Sequence, residues 1–259
     1  MTFSKYHGTG NDFILVDNRN GSYSFMQPQV AAMCHRRFGI GADGLMLLEN
    51  ADGYDFRMVY YNADGNESTM CGNGGRCIVA YAQKLGIITD KAHFLAIDGP
   101  HHATIHTNGV VSLQMQDVKE MLVQEGHTVL NTGSPHYVTW VKDVKNIEVF
   151  TEGRTIRNRQ EYSPGGINVN FVQTNGDKLR VRTYERGVED ETMSCGTGVT
   201  AAAIASTCHG TGAFSTHIET PGGDLMVSFT KDTPTSAHDV VLTGMATFVF
   251  DGEIPEPTL

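Results

Sequence analysis

The chain has 259 residues, 40% apolar and 19% charged, with a formal net charge of −10 and a pI near 5.5. Those figures suit an ordinary folded globule of one large domain or two of about 130 residues each. They argue against a nucleic-acid or membrane-surface partner: no basic cluster exceeds the pair Arg36-Arg37, and no apolar run nears the ~18 residues that cross a bilayer.

In chain order, residues 13–16 (Phe-Ile-Leu-Val) read as a strand. Residues 27–37, with Pro28 at the start, read as a helix. Residues 45–48 and 56–61 are strand-like and bounded by Gly, Asn and Asp. Residues 74–85 place Ile78, Val79, Ala82 and Leu85 at helical spacing and stop at Gly86. Strand patterns follow at 94–97, 137–141, 168–172 and 179–183, and an Ala-rich helix at 199–208 ends before Gly210. The class is therefore α+β, with sheet predominating.

One pattern occurs twice. Cys71-Gly-Asn-Gly74 and Cys195-Gly-Thr-Gly198 lie 124 positions apart, each entered from a strand-like run and continued by a helix-like one. Gly10-Asn-Asp-Phe13 and Gly133-Ser-Pro-His136 repeat at 123, and Ile97-Asp-Gly-Pro100 and Ile218-Glu-Thr-Pro221 at 121. Three anchors in one order predict two copies of one fold. The expected lobes are 1–120 and 121–245, with a boundary in the polar stretch 117–126 and a cleft between the lobes. Residues 246–259 exceed the second repeat, and their strand is expected to pack on the first lobe.

A cysteine just before a helix lies beside unpaired backbone N–H groups, here those of Gly72, Asn73 and Gly74, and of Gly196 and Thr197. Such donors bind a thiolate or a carboxylate, and glycine lets the ligand approach the backbone. The helix dipole alone gives about 0.3–1 kcal/mol, less than one unit below the reference thiol pKa of about 8.5. Hydrogen bonds and a nearby cation must add the rest, with His136 and Arg186 as candidates. Two opposed thiols could take a proton from one face of a carbon and return one to the other. Cys34, Cys77 and Cys208 read as ordinary buried thiols. Zinc fits poorly, because Cys71 and Cys77 are six apart and no matched Cys/His pairs appear. Glu185-Arg186 could hold a substrate ammonium and carboxylate, or be a solvated surface pair. Asn11, Asn62 and Asn168 sit at turns or strand ends, where Asn is common for backbone reasons. No phosphate loop or dinucleotide fingerprint appears, and no lysine stands out for a Schiff base, so no cofactor is expected. Five cysteines without framework spacing, and an N-terminus lacking a signal-peptide core, predict a reducing, cytoplasmic setting.

Residues 5–198 resemble the diaminopimelate epimerase family. The resemblance rests on Lys5-Tyr-His-Gly-Thr-Gly-Asn-Asp-Phe13, Arg37-Phe-Gly-Ile-Gly-Ala-Asp-Gly44, Tyr61-Asn-Ala-Asp-Gly65, Met70-Cys-Gly-Asn-Gly-Gly-Arg-Cys77, Gly133-Ser-Pro-His136, Asn168-Val-Asn-Phe171, Tyr184-Glu-Arg-Gly187 and Cys195-Gly-Thr-Gly198. It implies two pseudo-symmetric lobes, each a mainly antiparallel sheet around a central helix. It implies a cofactor-independent, metal-free epimerase of LL- and meso-diaminopimelate in lysine and peptidoglycan-precursor biosynthesis, working as a homodimer. Cys71 and Cys195 would then be the acid/base pair. Gly72, Asn73, Gly196 and Thr197 would hold the reacting carboxylate, and Asn11, Asn62, Asn168, Glu185 and Arg186 would contact substrate. His136 and Glu185 would tune the thiols. Three departures stand out: Ser134 where the family often has Asn, Gly44 where many members have Gln, and a loop from Arg186 to Cys195 one residue longer than usual. The rival readings are a proline or hydroxyproline racemase-like enzyme, which a second charged substrate end would disfavour, and a non-catalytic redox or metal-binding thiol protein.

Overall fold

The computed structural model describes residues 1–255, and the chain divides into two compact units. The first runs from Met1 to Leu113 and takes in the chain from Met245; the second is Gln114–Gly244.

The first unit contains β1 (Thr2–Gly8), β2 (Asn11–Asp17), α1 (Gln27–Cys34), β3 (Gly44–Glu49), β4 (Phe56–Asn62), α2 (Gly72–Lys84), β5 (Lys91–Ala96), β6 (Gly99–Ile105) and β7 (Val110–Gln114). Pairings run antiparallel for β1–β2, β3–β4, β5–β6 and β6–β7, and parallel for β2–β3 and β4–β5. A parallel pair needs a crossover connection. The segment carrying α1 makes the first and α2 the second.

The second unit contains β8 (Met121–Gln124), β9 (His127–Asn131), β10 (Pro135–Trp140), α3 (Val149–Arg157), β11 (Asn168–Asn175), β12 (Lys178–Glu185), β13 (Asp190–Thr192), α4 (Gly196–Ala205), β14 (Gly212–Thr220), β15 (Gly223–Lys231) and β16 (His238–Met245). From β9 the same succession returns. Antiparallel β9–β10, parallel β10–β11, antiparallel β11–β12, parallel β12–β14 and two further antiparallel pairs to β16 follow one another. The last strand, β17 (Thr247–Glu253), pairs antiparallel with β1, as β8 does with β9. Positions 256–259 of the expected C-terminal strand lie outside the described residues.

The central strands are covered on both faces, which is why they read as unbroken apolar runs. Ile14 and Val16 join Val30, Met33, Leu45 and Leu47 in a core on the α1 side, while α2 packs against β1, β2, β3 and β6. In the second unit Val169, Phe171 and Tyr184 pack with Val149 and Ile156 of α3, and α4 lies against β10, β11, β12 and β15. Helix α4 is buried over nearly its whole surface. Small Ala and Gly side chains let strands approach it from every side, as an all-round apolar helix requires.

Two local results differ from the sequence reading. Helix α1 ends at Cys34, three residues early, because the chain doubles back over its last turn: Gly39 N–H donates to His35 O, Gly41 N–H to Met33 O and Ala42 N–H to Cys34 O. Helix α3 was not read from the pattern because Gly153 sits in its middle. A Cβ there would lie 2.4 Å from Tyr184 Cβ, so glycine is what lets α3 seat on β12. Among the described residues no helix is long and apolar enough to cross a membrane.

Candidate active site

Cys71 is the residue before α2, in extended backbone (φ −102°, ψ 145°), and its Sγ accepts the Gly74 N–H at 3.2 Å. An Ncap acceptor of this kind satisfies one of the helix's orphan donors. A Cβ on Gly74 would lie 3.2 Å from that sulfur and 2.4 Å from Met46 Cε, so the third residue of the turn has no room for a side chain as it stands.

The neighbouring amides form a chain. Asn73 Oδ1 accepts from Arg76 Nη2 (3.0 Å) and Thr9 Oγ1 (3.3 Å), and Asn73 Nδ2 donates to Asn11 Oδ1 (3.3 Å). Asn11 Nδ2 donates to Asp43 Oδ2 at 2.7 Å, leaving Asn11 Oδ1 3.9 Å from Cys71 Sγ as an acceptor for its thiol proton. Beyond Asp43 lie Arg36, Asp12 and Lys5, linked by ion pairs at 2.6–2.7 Å. Burial pushes the Asp12 carboxyl up, but hydrogen bonds from Arg36 and Lys5 prevail and hold it at about 2. Gly72 contributes its carbonyl to Arg76 Nη1 at 3.2 Å. Asn62, the last residue of β4, stands opposite Gly44 in register, and no hydrogen bond among the described residues joins its side chain to this group.

Cys195 holds the corresponding place before α4 (φ −112°, ψ 111°). Its Sγ lies 3.5 Å from Thr197 Oγ1 and the residue is 7% exposed. A Cβ on Gly198 would fall 3.3 Å from this sulfur and 2.3 Å from Asn170 Oδ1. Asn170 is wholly buried. Its Oδ1 accepts from Thr183 Oγ1 (3.0 Å), and its Nδ2 donates to Tyr137 O (3.1 Å) and His136 Nδ1 (3.1 Å). That last bond leaves Nδ1 bare and assigns the ring proton to Nε2.

His136 is therefore not the cation expected of it. Burial, with the Arg186 charge adding to it, takes its pKa down to about 3, outweighing the Asn170 bond that favours the charged form. At neutral pH it is an uncharged imidazole whose buried Nε2–H meets no acceptor among the described residues. It can tune a neighbour by donating that proton or by accepting one, not by standing charge.

Asn168, Ser134 and Arg186 form a second knot. Ser134 Oγ accepts from Asn168 Nδ2 at 2.8 Å and from Arg186 Nη2 at 3.2 Å, and Asn168 Oδ1 accepts the Arg186 backbone N–H at 2.9 Å. Ser134, marked in the sequence only as a departure, thus joins two of the expected substrate contacts. Glu185 and Arg186 do not bond each other; Glu185 Oε2 accepts from Thr192 Oγ1 at 2.9 Å. The loop after Arg186 is tied down. Glu189, at φ 60°, pairs with Arg157 at 2.8 Å, and its backbone N–H donates to Glu185 O. Gly44 is also explained: a Cβ there would lie 2.5 Å from the Tyr60 ring and 2.6 Å from Tyr61 O, so Tyr60 fills the space a glutamine would take.

All five cysteines are free thiols. Burial pushes Cys34 up to about 12 and raises Cys77 further, as expected of inert core thiols. Sequence reasoning passed over Arg76, Asp43 and Asn170. A polar side chain inside an apolar run was the available signal for Arg76, beside Cys77-Ile-Val-Ala, and for Asn170 within Asn-Val-Asn-Phe-Val.

The sequence profile of the family described as diaminopimelate epimerase matches twice in succession, over residues 3–126 and 128–249. A diaminopimelate epimerase of Flavobacterium psychrophilum is 51% identical over 257 residues, 98% of this chain and all of the relative. Among solved structures, a PhzF-family phenazine biosynthesis protein of Bacillus anthracis superposes with a TM-score of 0.74 at 14% identity, covering 98% of this chain and 99% of its own. A hydroxyproline epimerase of Agrobacterium vitis gives 0.73 at 15%, covering 100% and 93%. At those identities the two structures establish the fold alone.

Proposed function

The chain belongs to the diaminopimelate epimerase family, and on that footing we propose that Cys71 and Cys195 are its acid/base pair. The activity is isomerisation between LL- and meso-2,6-diaminopimelate in lysine biosynthesis, inversion at one α-carbon. One cysteine, as thiolate, takes the α-proton: the C–H bond breaks and an S–H bond forms. The other, still a thiol, gives its proton to the opposite face. The roles exchange with the direction of reaction, so neither residue is permanently the base.

An amino-acid α-proton is many units less acidic than a thiol, and each unit is about 1.4 kcal/mol. The barrier must fall mainly by stabilising negative charge on the substrate carboxylate as the carbanion forms. In this reading the N–H groups at Gly72, Asn73, Gly196 and Thr197 supply that stabilisation. Asn11, Asn62, Asn168, Glu185 and Arg186 hold the rest of the substrate, while His136 and Glu185 influence the thiols. The side chains do the proton work, with no resident cofactor or metal. The observation that carries the proposal is the pair of Cys-Gly-x-Gly helix starts, each with its second glycine packed against the sulfur.

The proposal extends to a cytoplasmic homodimer acting on a small molecule. Phe248, Val249 and Phe250, nearly half exposed on β17, offer an apolar strand for self-association. Light scattering on the purified protein tests this, and a monomer at working concentration would refute it. For the acid/base pair the test is Cys71→Ala and Cys195→Ala. Each should slow epimerisation of diaminopimelate by about a hundredfold or more, and full activity in either would refute the assignment. The same assay with hydroxyproline should give no turnover.

A further inference from the structure

Arg76 is wholly buried, with no exposed surface at all. Its hydrogen-bond partners are neutral oxygens: Gly72 O at 3.2 Å, Asn73 Oδ1 at 3.0 Å and Thr9 Oγ1 at 3.2 Å. Its Nε is also buried and has no partner. No carboxylate pairs with it among the described residues. An unpaired buried charge is costly, and a guanidinium cannot shed its proton at neutral pH to escape that cost. The protein retains that cost five residues after Cys71, in the helix that Cys71 begins.

Two consequences follow from the contacts. First, Arg76 fixes the Asn73 amide with Oδ1 inward. That turns Nδ2 toward Asn11 Oδ1, while Asp43 holds the other end of the Asn11 amide. The orientation of Asn11 Oδ1 toward Cys71 Sγ is thus clamped from both ends. Second, Arg76 is a standing positive charge whose field reaches Cys71, the group that must become negative.

The other titratable groups around α2 do not offer that charge. Cys77 and Tyr81 on the helix and Tyr6 on β1 are pushed toward their neutral forms by burial, and His101 on β6 faces Asp98. Asp12 on β2 and Asp98, which meets His101 at 3.3 Å, are anionic. Lys5 on β1 is committed to Asp12 at 2.7 Å, and Lys84, in the last turn of α2, to Asp251 at 2.6 Å.

We propose that Arg76 is a positioning residue for the reaction: it supplies the counter-charge for the Cys71 thiolate and locks the Asn73–Asn11 amide chain that faces the sulfur. The thiolate in turn compensates the buried guanidinium, so the charge that is a burden in the resting thiol form is matched in the reactive one. This rests on Cys71 being one of the acid/base pair.

The test uses Arg76→Gln, which removes the charge at similar size, and Arg76→Lys, which keeps the charge but not the two-pronged hydrogen bonding. The readout is the pH midpoint of Cys71 alkylation by iodoacetamide, followed on the Cys71 peptide, together with kcat and KM. Arg76→Gln should raise the midpoint by about one unit or more and lower kcat tenfold or more, in line with a tenfold change per pKa unit, with a smaller change in KM. Arg76→Lys should keep the midpoint within about half a unit while kcat falls. A folded Arg76→Gln protein with an unchanged midpoint overturns the inference. If Arg76→Gln does not fold, Arg76→Lys decides alone: a midpoint raised by about a unit, or an unaltered kcat, overturns it. Loss of turnover in Cys71→Ala with an unmoved midpoint in Arg76→Gln sinks this inference only, whereas an active Cys71→Ala sinks the reading beneath it.

Discussion

Cys71 and Cys195 start their helices in the same backbone conformation, and in both turns the glycine three residues on lies too close to the sulfur to carry a side chain. What stands behind the two sulfurs differs. Five residues after each cysteine, Arg76 and Thr200 both donate to the carbonyl of the residue following the cysteine, Gly72 O at 3.2 Å and Gly196 O at 2.8 Å. One brings a charge and the other does not. Against the second glycine of the motif lies the Met46 methyl in one turn and the Asn170 amide in the other. Duplication kept the glycine-flanked cysteine turns and let the surroundings diverge: a buried cation on the side of Cys71, a neutral imidazole and amide on the side of Cys195. The proposed proton relay has no need of symmetric support, because in it each thiol only has to be able to act in either role.

The sharpest way to break the comparison is to remove each sulfur. Both Cys71→Ala and Cys195→Ala should lose about 10²–10⁴-fold in kcat, the usual worth of one general acid or base. A large loss in one variant with a small loss in the other would mean a one-base enzyme. Next comes the pair of glycines. Gly198→Ala meets Asn170 Oδ1, held by Thr183 and backed by two further bonds from the same amide, while Gly74→Ala meets the free end of Met46. Overpacking costs about 1–3 kcal/mol, and Gly198→Ala should lie at the upper end and Gly74→Ala at the lower in urea unfolding. Equal costs would show that the surroundings are as alike as the turns.

His136 separates the units by pH. Its folded pKa lies below its unfolded value, so its contribution is complete above about 6.5 and is lost as pH falls toward about 3. Stability should decline by roughly 1.4 kcal/mol per pH unit across that window from this group, and a folded His136→Gln variant should show a shallower slope. An identical slope would mean that His136 is not buried neutral. The smallest effect is Ser134→Ala. It strips an acceptor from Arg186 and Asn168, and should raise KM for diaminopimelate several-fold at about 1 kcal/mol, leaving kcat near its original value.

Much of this was legible in the chain because its local signals agree. Runs such as Phe-Ile-Leu-Val and Leu-Met-Leu-Leu are strands buried on both faces, and they read as strands. The cysteine turns were visible because glycine at fixed spacing marks close backbone approach. Helix α3 was hidden because Gly153, required by its packing on Tyr184, looks locally like a breaker. The charge on His136 was misread because protonation depends on burial, which a sequence does not display. Arg76 was passed over for a related reason: only its depth turns an ordinary helical arginine into an unpaired charge.

The most direct measurement is isotopic. When LL-diaminopimelate is turned over in D₂O and stopped early, the meso product should carry deuterium at the inverted α-carbon in every molecule, while unreacted substrate keeps its protium. The proton that arrives then comes from a thiol already exchanged with solvent, not from the thiolate that took the first. Meso product that retains the original protium would show one base working both faces, and would contradict the two-cysteine account.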